Sequence, residues 1–313
     1  MYSARVLLLL LAVAMAPPAG GEDGVPQLTE YWCDTAGDFD DGSQYAKNLA
    51  ELLSTLSSST ATAGGDDGGW FRSGAAGAAP DQAWGLAMCY ADSDEAQWQQ
   101  SLDFLGQARA GGELITELCG PQLRHSRSVR LIGTNRCVIR YADEPFLGAA
   151  DKPDTSATVT LNSDPYAGDA SAMREARRRL LVHLAAVAGG GGGEAAPPRL
   201  AVGSRRYTDA LGPAQVLYGM AQCSRDLTPG DCTRCLMDNL AVVSDDVSMV
   251  NSTRGSVMGF SCYLKFRVNA PIHITGPAKP PAPVPAAAQA TATPLMAALA
   301  AAAGAVTVLI LGD

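Results

Sequence analysis

Cysteine is the residue type in this chain whose spacing most narrows the chemistry. Cys223-x8-Cys232-x2-Cys235 is followed by Cys262 and preceded by Cys33, Cys89, Cys119 and Cys137. A Cys-x2-Cys pair admits zinc ligation, thiol redox exchange or disulfide cross-linking. Zinc would want two more Cys or His ligands at suitable spacing, and the only histidine downstream is His273. A thioredoxin-like site would want a βαβ context, which the surrounding pattern lacks. Neither a metal nor a cofactor is expected. Other catalytic groups are sparse. His125, His183 and His273 fall one per region, and His183 lies at a helical position beside Leu180 and Leu184, which suits a structural or surface role. No Gly-x-Ser-x-Gly elbow, His-Glu-x-x-His, phosphate loop or dinucleotide fingerprint occurs. Acidic pairs such as Asp40-Asp41 and Asp66-Asp67 sit in loops, and nothing selects two carboxylates for glycoside hydrolysis. The expectation is a protein that is not an enzyme.

The disulfide reading depends on compartment, and the ends of the chain decide it. Residues 1–21 carry one cation, Arg5, then an apolar block over 6–16 and small residues at Ala19-Gly20-Gly21. That is the pattern of a secretory signal peptide, too short to span a bilayer comfortably. The eight cysteines therefore mature in an oxidising lumen. At the other end, residues 276–294 form a Pro/Ala-rich stalk and 295–311 an apolar tail with no Lys or Arg beyond it. The tail matches a glycolipid-anchor signal, a weak single span or an uncleaved tail of a soluble protein; in the first two cases a membrane is engaged there and the folded part faces outside the cell. Asn251-Ser252-Thr253 is the N-glycosylation sequon, with Asn251 expected on the surface.

Between the ends lie two units of ordinary globular composition. The 313 residues are 47% hydrophobic with net charge −9, which argues against nucleic acid as a partner. Residues 22–150 hold 8 cations and 19 carboxylates, and residues 151–313 hold 14 and 13. The acidity thus belongs to the first half. Arg174, Arg177, Arg178 and Arg179 cluster in the second. They are expected on a solvated helix face, or as a docking surface for the acidic half, a neighbouring copy or an anionic polysaccharide. Both halves read in the same order, as an internal repeat would. Each opens on an amphipathic helix, with Tyr45, Leu49, Leu52, Leu53 and Leu56 on one and Met173, Ala176, Leu180, Leu181 and Leu184 on the other. Glycine runs follow at 64–69 and 189–193, read as mobile loops. Matching strands end in Trp84-Gly85-Leu86-Ala87-Met88-Cys89 and Tyr218-Gly219-Met220-Ala221-Gln222-Cys223. A second helix comes next, and an alternating strand through Cys137 or Cys262 closes each half. The expected fold class is α+β, in two tandem disulfide-stapled modules over 28–145 and 158–268. Each module lays two helices on a roughly five-stranded antiparallel sheet.

The Cys223-x8-Cys232-x2-Cys235 motif, with Tyr218-Gly219-Met220-Ala221-Gln222 before it and Leu227-Thr228-Pro229-Gly230-Asp231 inside it, resembles the plant ginkbilobin-homologous, or stress-antifungal, domain. That domain occurs doubled in cysteine-rich repeat secretory proteins, plasmodesmata-located proteins and cysteine-rich receptor-like kinases. The resemblance covers both modules. It implies a Cys223–Cys232 loop bridge and a Cys235–Cys262 helix-to-strand bridge. In the first module it pairs Cys33 with Cys119, but the two positions that should partner Cys89 and Cys137 hold Trp98 and Ser101. The orphans are expected to bond each other, with Trp98 filling the space of the missing bridge.

The resemblance also implies a function. One antifungal member type binds mannose through an Asn just after the first Cys, an Arg six before the last and a Glu five after it. Those positions hold Asp34, Leu131 and Ala142 here, with Arg130 and Asp143 one residue out of step; the second module offers Ser256 and Arg267. A strict mannose site is absent, and a shifted one would use Asp34, Arg130 and Asp143. The implied protein is a cell-surface module, similar to plasmodesmata-located proteins, that recognises a cell-wall glycan or another ectodomain and can associate with its own or other modules. A secreted mannose-binding antifungal lectin is the second implication. A non-reducing peptide map should recover Cys89 and Cys137 in one disulfide-linked fragment pair; alkylation of both without reduction would overturn that pairing.

Overall fold

The computed structural model describes residues 28–34, 37–58, 70–109, 119, 125–133, 135–150, 159–161, 165–191, 199–208, 212–245 and 250–275. The signal-peptide, stalk and tail expectations lie outside these residues, as does the first glycine run. The first module contains β1 (Leu28–Cys33), α1 (Gln44–Ser57), β2 (Phe71–Ala76), β3 (Ala83–Cys89), α2 (Glu95–Arg109), β4 (Val129–Gly133) and β5 (Cys137–Ala142). The second contains β6 (Val159–Leu161), α3 (Ala170–Ala186), β7 (Leu200–Thr208), β8 (Ala214–Cys223), α4 (Pro229–Asp245), β9 (Arg254–Met258) and β10 (Cys262–Val268). Two antiparallel five-stranded sheets result, ordered β1-β4-β5-β3-β2 and β6-β9-β10-β8-β7. The α+β double module stands as read from the sequence, and the two strand orders are the same permutation.

Each helix pair covers one face of its own sheet. Ser43 caps α1 by accepting from the Ala46 amide, and Asp169 caps α3 by accepting from Ser171. Leu49, Leu52, Leu53 and Leu56 of α1 join Ala87, Leu131 and Ile139 in one core; Leu180, Leu181 and Leu184 of α3 join Ala221, Val257 and Leu264 in the other. The repeated Gly in the two matching strand phrases has a packing reason. Gly85 lies opposite Gly74, and Gly219 opposite Gly203, so each helix crosses a cross-strand glycine pair. A Cβ on Gly85 would lie 2.8 Å from Leu52 and 2.9 Å from Leu56; one on Gly219 would lie 2.9 Å from Leu184 and 3.1 Å from Leu180 and Leu181. The absent side chains set how closely the helix approaches the sheet.

The opposite faces of the two sheets pack on each other. Because strand side chains alternate, Leu86, Met88, Ile132 and Val138 leave the helix side and meet Leu200, Met220, Met258 and Tyr263. The molecule is thus layered helices, sheet, sheet, helices. Polar bonds stitch the seam: the Tyr90 hydroxyl donates to the Gly259 carbonyl at 2.9 Å, and Gln222 Oε1 accepts from the Ala91 amide at 2.7 Å. Asp92, 5% exposed, pairs with Lys265 across the seam at 2.6 Å and with Arg136 at 3.2 Å.

One glycine run departs from expectation. Gly189 is not part of a mobile loop but extends the end of α3 and is buried, and the helix breaks at Gly190, whose φ is 107°; residues 192–193 of the run lie outside the described residues. A Cβ at Gly189 would sit 1.9 Å from Thr233 Oγ1 and 3.0 Å from the Pro229 carbonyl, so glycine is there because the start of α4 passes against it. Gly219→Ala, which forces a methyl into the leucine layer, should lower stability by about 1–3 kcal/mol without changing the fold, as measured by urea unfolding.

Candidate functional site

The disulfides come first, because they anchor the strands that carry the site. Cys33 is bonded to Cys119, Cys223 to Cys232 and Cys235 to Cys262. Cys89 is bonded to Cys137. The register explains how the two modules differ. Cys89 lies directly opposite Cys137 on β3 and β5, as Cys223 does opposite Cys262 on β8 and β10. In the second module both of these cysteines reach up to the overlying helix, to Cys232 and Cys235. In the first module α2 offers Trp98 and Ser101 instead, and the strand cysteines close on each other. Trp98 is buried beside them, its ring 5.9 Å from Trp70 and under the Arg72 guanidinium at 5.5 Å. Ser101 accepts from Asn135 Nδ2 at 3.1 Å and lies 3.9 Å from Cys89 Sγ.

Asp34, Arg130 and Asp143 all line a single cavity of about 500 Å³ on the first module. Asp34 follows the end of β1, Arg130 is on β4 and Asp143 follows β5. Arg127, Arg140 and Glu144 complete its charged lining. Arg127 is the best-fixed of these. Its guanidinium lies 4.6 Å from the Tyr45 ring, donates to Asp143 at 3.3 Å and to the Asp38 carbonyl at 3.3 Å, and pairs with Asp81 at 3.5 Å. The Tyr45 hydroxyl in turn donates to the Arg127 carbonyl at 2.7 Å. Burial foremost, then the Asp143 charge, raises the Tyr45 pKa, so the phenol keeps its proton. Arg130 lies between Trp32 of the first module and Phe260 of the second, 5.5 and 5.3 Å from the two rings. Arg140 lies 3.9 Å from the centre of the Phe146 ring. Guanidinium donors and carboxylate acceptors therefore both line the cavity, and Trp32, 51% exposed, stands beside Arg130. Such a lining suits a neutral polyhydroxylated ligand, whose hydroxyls both donate and accept.

The register resolves the one-residue slip at Arg130. Between the paired residues Ile132 and Val138 the chain has one more residue than between Met258 and Tyr263. Counting back from Cys137 therefore lands on Leu131, in the helix-side core, whereas Arg130 occupies the ladder position that Ser256 holds in the second module. Arg136, with φ of 62°, sits in that longer turn. Asp143 is not realigned in this way; it lies just past the strand end and reaches the cavity beside Arg127. Among the described residues no cluster of His, Cys, Asp and Glu could hold a metal ion.

A family model described as salt stress response/antifungal matches residues 32–144 and again residues 166–269, together well over half of the chain. The chain belongs to the salt stress response/antifungal family. Cysteine-rich receptor-like protein kinase 26 of Arabidopsis thaliana is 26% identical over 261 residues, covering 82% of this chain and 35% of the kinase. The chain thus spans about a third of the length of the receptor-like kinases it matches. Cysteine-rich repeat secretory protein 55 of Arabidopsis thaliana is 25% identical over 266 residues, 83% of this chain and 88% of that protein. The tandem DUF26 ectodomain of the Arabidopsis thaliana cysteine-rich receptor-like protein PDLP8 superposes with a TM-score of 0.51 at 19% identity, covering 78% of this chain and 98% of that one. That superposition shows the double-module fold.

Asn251 is exposed in the turn before β9, its carbonyl accepting from the Tyr166 amide at 2.6 Å. The arginine cluster of α3 is not one continuous surface. Arg177 is buried, 4.6 Å from the Phe266 ring, and donates to the Val250 carbonyl at 3.0 Å. Desolvation lowers its pKa to about 10. Arg178 and Arg179 both bond Glu175, so much of the cluster's charge is met within the helix. Those two bonds, Arg178's the larger, lower the Glu175 pKa from 4.5 to about 2. A depressed carboxyl contributes stability above its unfolded value that is lost as pH falls toward 2. In the Arg178→Gln/Arg179→Gln variant the Glu175 carboxyl should titrate at a clearly higher pH by NMR.

Proposed function

We propose that this protein is an extracellular recognition module rather than an enzyme, displayed at the plant cell surface by its C-terminal tail, and that its first-module cavity takes a neutral glycan. The observation that carries the reading is the convergence of Asp34, Arg130 and Asp143 on one cavity, with Trp32 beside it as an aromatic surface. An indole face packs against the C–H side of a sugar ring while the arginines and carboxylates meet its hydroxyls. Relatives named as receptor-like kinases, secretory proteins and a receptor-like ectodomain support placement outside the cell and a role in signalling or defence. Among the described residues no helix is long and apolar enough to cross a membrane; the anchorage in this reading rests on the apolar composition of residues 295–311. A freely secreted antifungal lectin is the second reading, favoured by the same cavity.

Yeast mannan pull-down and a neutral glycan array test the cavity. The wild-type chain should be retained, with binding weakened about ten-fold or more in Arg130→Ala and in Asp34→Ala, each folded by circular dichroism. Retention unaffected by either substitution overturns the assignment. A fluorescent fusion placed after the signal peptide should be released from cells by phospholipase C and mark puncta at cell walls; wholly soluble secretion would favour the lectin.

A further inference from the structure

The sequon Asn251-Ser252-Thr253 is not among the residues lining the first-module cavity; it lies in the turn that leads into β9. Asn251 is exposed, whereas Ser252 is 1% exposed and Thr253 is half-buried. The backbone on both sides of Ser252 is tied to other segments. Ser252 forms an antiparallel bridge with Pro165, and the Asn251 carbonyl accepts from the Tyr166 amide, ahead of α3, at 2.6 Å. The Thr253 carbonyl accepts from the Val268 amide at 2.7 Å, which extends the β9–β10 ladder past the Arg254–Arg267 pair. The Val250 carbonyl accepts from Arg177 of α3 at 3.0 Å. Three separate stretches of chain therefore hold one tripeptide in place, and Asn251 alone of the three stays exposed.

The order of the chain matters as much as these contacts. In the sheet β9 lies between β6 and β10, and it is β10 that connects it to β8 and β7. Because β10 follows the sequon in the sequence, the Thr253 carbonyl cannot be paired, nor the sheet closed around Ser252, until residues 262–268 have been made. The Cys235–Cys262 bridge encloses the sequon and also waits for β10. In the emerging chain the tripeptide is thus open for a time; in the finished module it is not.

We propose that Asn251 carries an N-linked oligosaccharide and that its transfer precedes closure of the second module. N-linked transfer reads the asparagine carboxamide together with the hydroxyl two residues on, so the whole tripeptide must be drawn free of other structure. The Asn251 carboxamide nitrogen attacks the anomeric carbon of an oligosaccharide carried on a lipid pyrophosphate. A C–N bond forms as the C–O bond to the pyrophosphate breaks; the nitrogen gives up one proton and the lipid pyrophosphate leaves. Transfer to the folded chain first has to break the Tyr166 and Val268 bonds and uncover Ser252, whereas transfer to the open chain breaks neither. The finished glycan then stands on an exposed position and leaves those contacts free to form. Tyr166, Arg177 and Val268 all belong to the second module, so this site is independent of the first-module cavity and its ligand.

The chain secreted by plant cells should lose mass on digestion with peptide N-glycosidase A, which converts Asn251 to an aspartate. Asn251→Gln and Thr253→Ala should each abolish that shift, and Thr253→Ser should keep it. Timing is read with the full chain made without glycan and given to purified oligosaccharyltransferase and its lipid-linked donor, either folded and oxidised or reduced and unfolded. The unfolded chain should accept the sugar, and the folded chain about ten-fold more slowly or less, because it presents the sequon only by local opening. An unmodified secreted chain, or a mass shift that survives Asn251→Gln, would overturn the site. Equal rates for the folded and unfolded chains, or no transfer to the unfolded chain, would overturn the order of events.

Discussion

The constraint on which the structure depends is that each sheet is apolar on both faces. One face is covered by the helices of its own module, through Leu52 and Leu56 or Leu180 and Leu184. The other carries Leu86, Met88, Ile132 and Val138 in one module and Leu200, Met220 and Met258 in the other. A single module would leave that second face in water, where each large aliphatic side chain forgoes about 1.5–3 kcal/mol of burial. Stacking sheet on sheet removes both exposed faces at once. The cost is that polar groups at the seam lose water, and they are paired instead: Tyr90 to Gly259, Ala91 to Gln222, Asp92 to Lys265. The repeat in the sequence is therefore a requirement of packing as much as a record of duplication.

Within a module, covalent and steric devices divide the work of holding helix to sheet. The glycine pairs let α1 and α3 approach closely, and the second module then ties α4 down through Cys232 and Cys235. The first module has no such tie to α2. Its substitute is aromatic: Trp98 packs on Trp70 beneath Arg72, with Ser101 and Asn135 completing a polar contact to the turn. The strand cysteines, brought face to face by register in both modules, are bonded to each other only where the helix offers no partner.

How much of this was legible in the sequence depends on the range of the interaction. The helices were legible because Leu49, Leu52, Leu53 and Leu56 repeat at the helical period, and the closing strands because Cys137 to Tyr141 alternate. The double module was legible because the glycine phrases recur. Features set by partners far along the chain were not. Gly189 reads as loop until Thr233 is seen against it. Arg177 reads as surface until Phe266 and the Val250 carbonyl are placed around it. Arg130 appears one position out of step because a count along the chain cannot register one extra residue in a turn, whereas pairing to Arg140 fixes its face directly. The convergence of Asp34, Arg130 and Asp143 was anticipated only through resemblance. Arg127, which fixes that cavity's wall, lacked any local signal.

The same seam also explains why the first-module cavity and the hollow beside Lys265 lie where they do. Where two stacked, twisted sheets diverge, their facing strands cannot stay in contact along their whole length, and polar side chains occupy the open margins. At one margin Arg130 is held between Trp32 and Phe260, so a residue of the acidic module is positioned by an aromatic ring of the other. At another, Arg136 of the first module and Lys265 of the second are joined through Asp92. Each cavity thus depends on side chains from both modules, yet their chemistry differs because the modules contribute unequal charge. The carboxylates Asp34, Asp143 and Glu144 balance the first cavity, while the second is walled by Arg254 and Arg267 of a module with slightly more cations than carboxylates. Duplication followed by divergence in charge gives one frame two margins of different charge, while the packing of sheet on sheet and helix on sheet is kept.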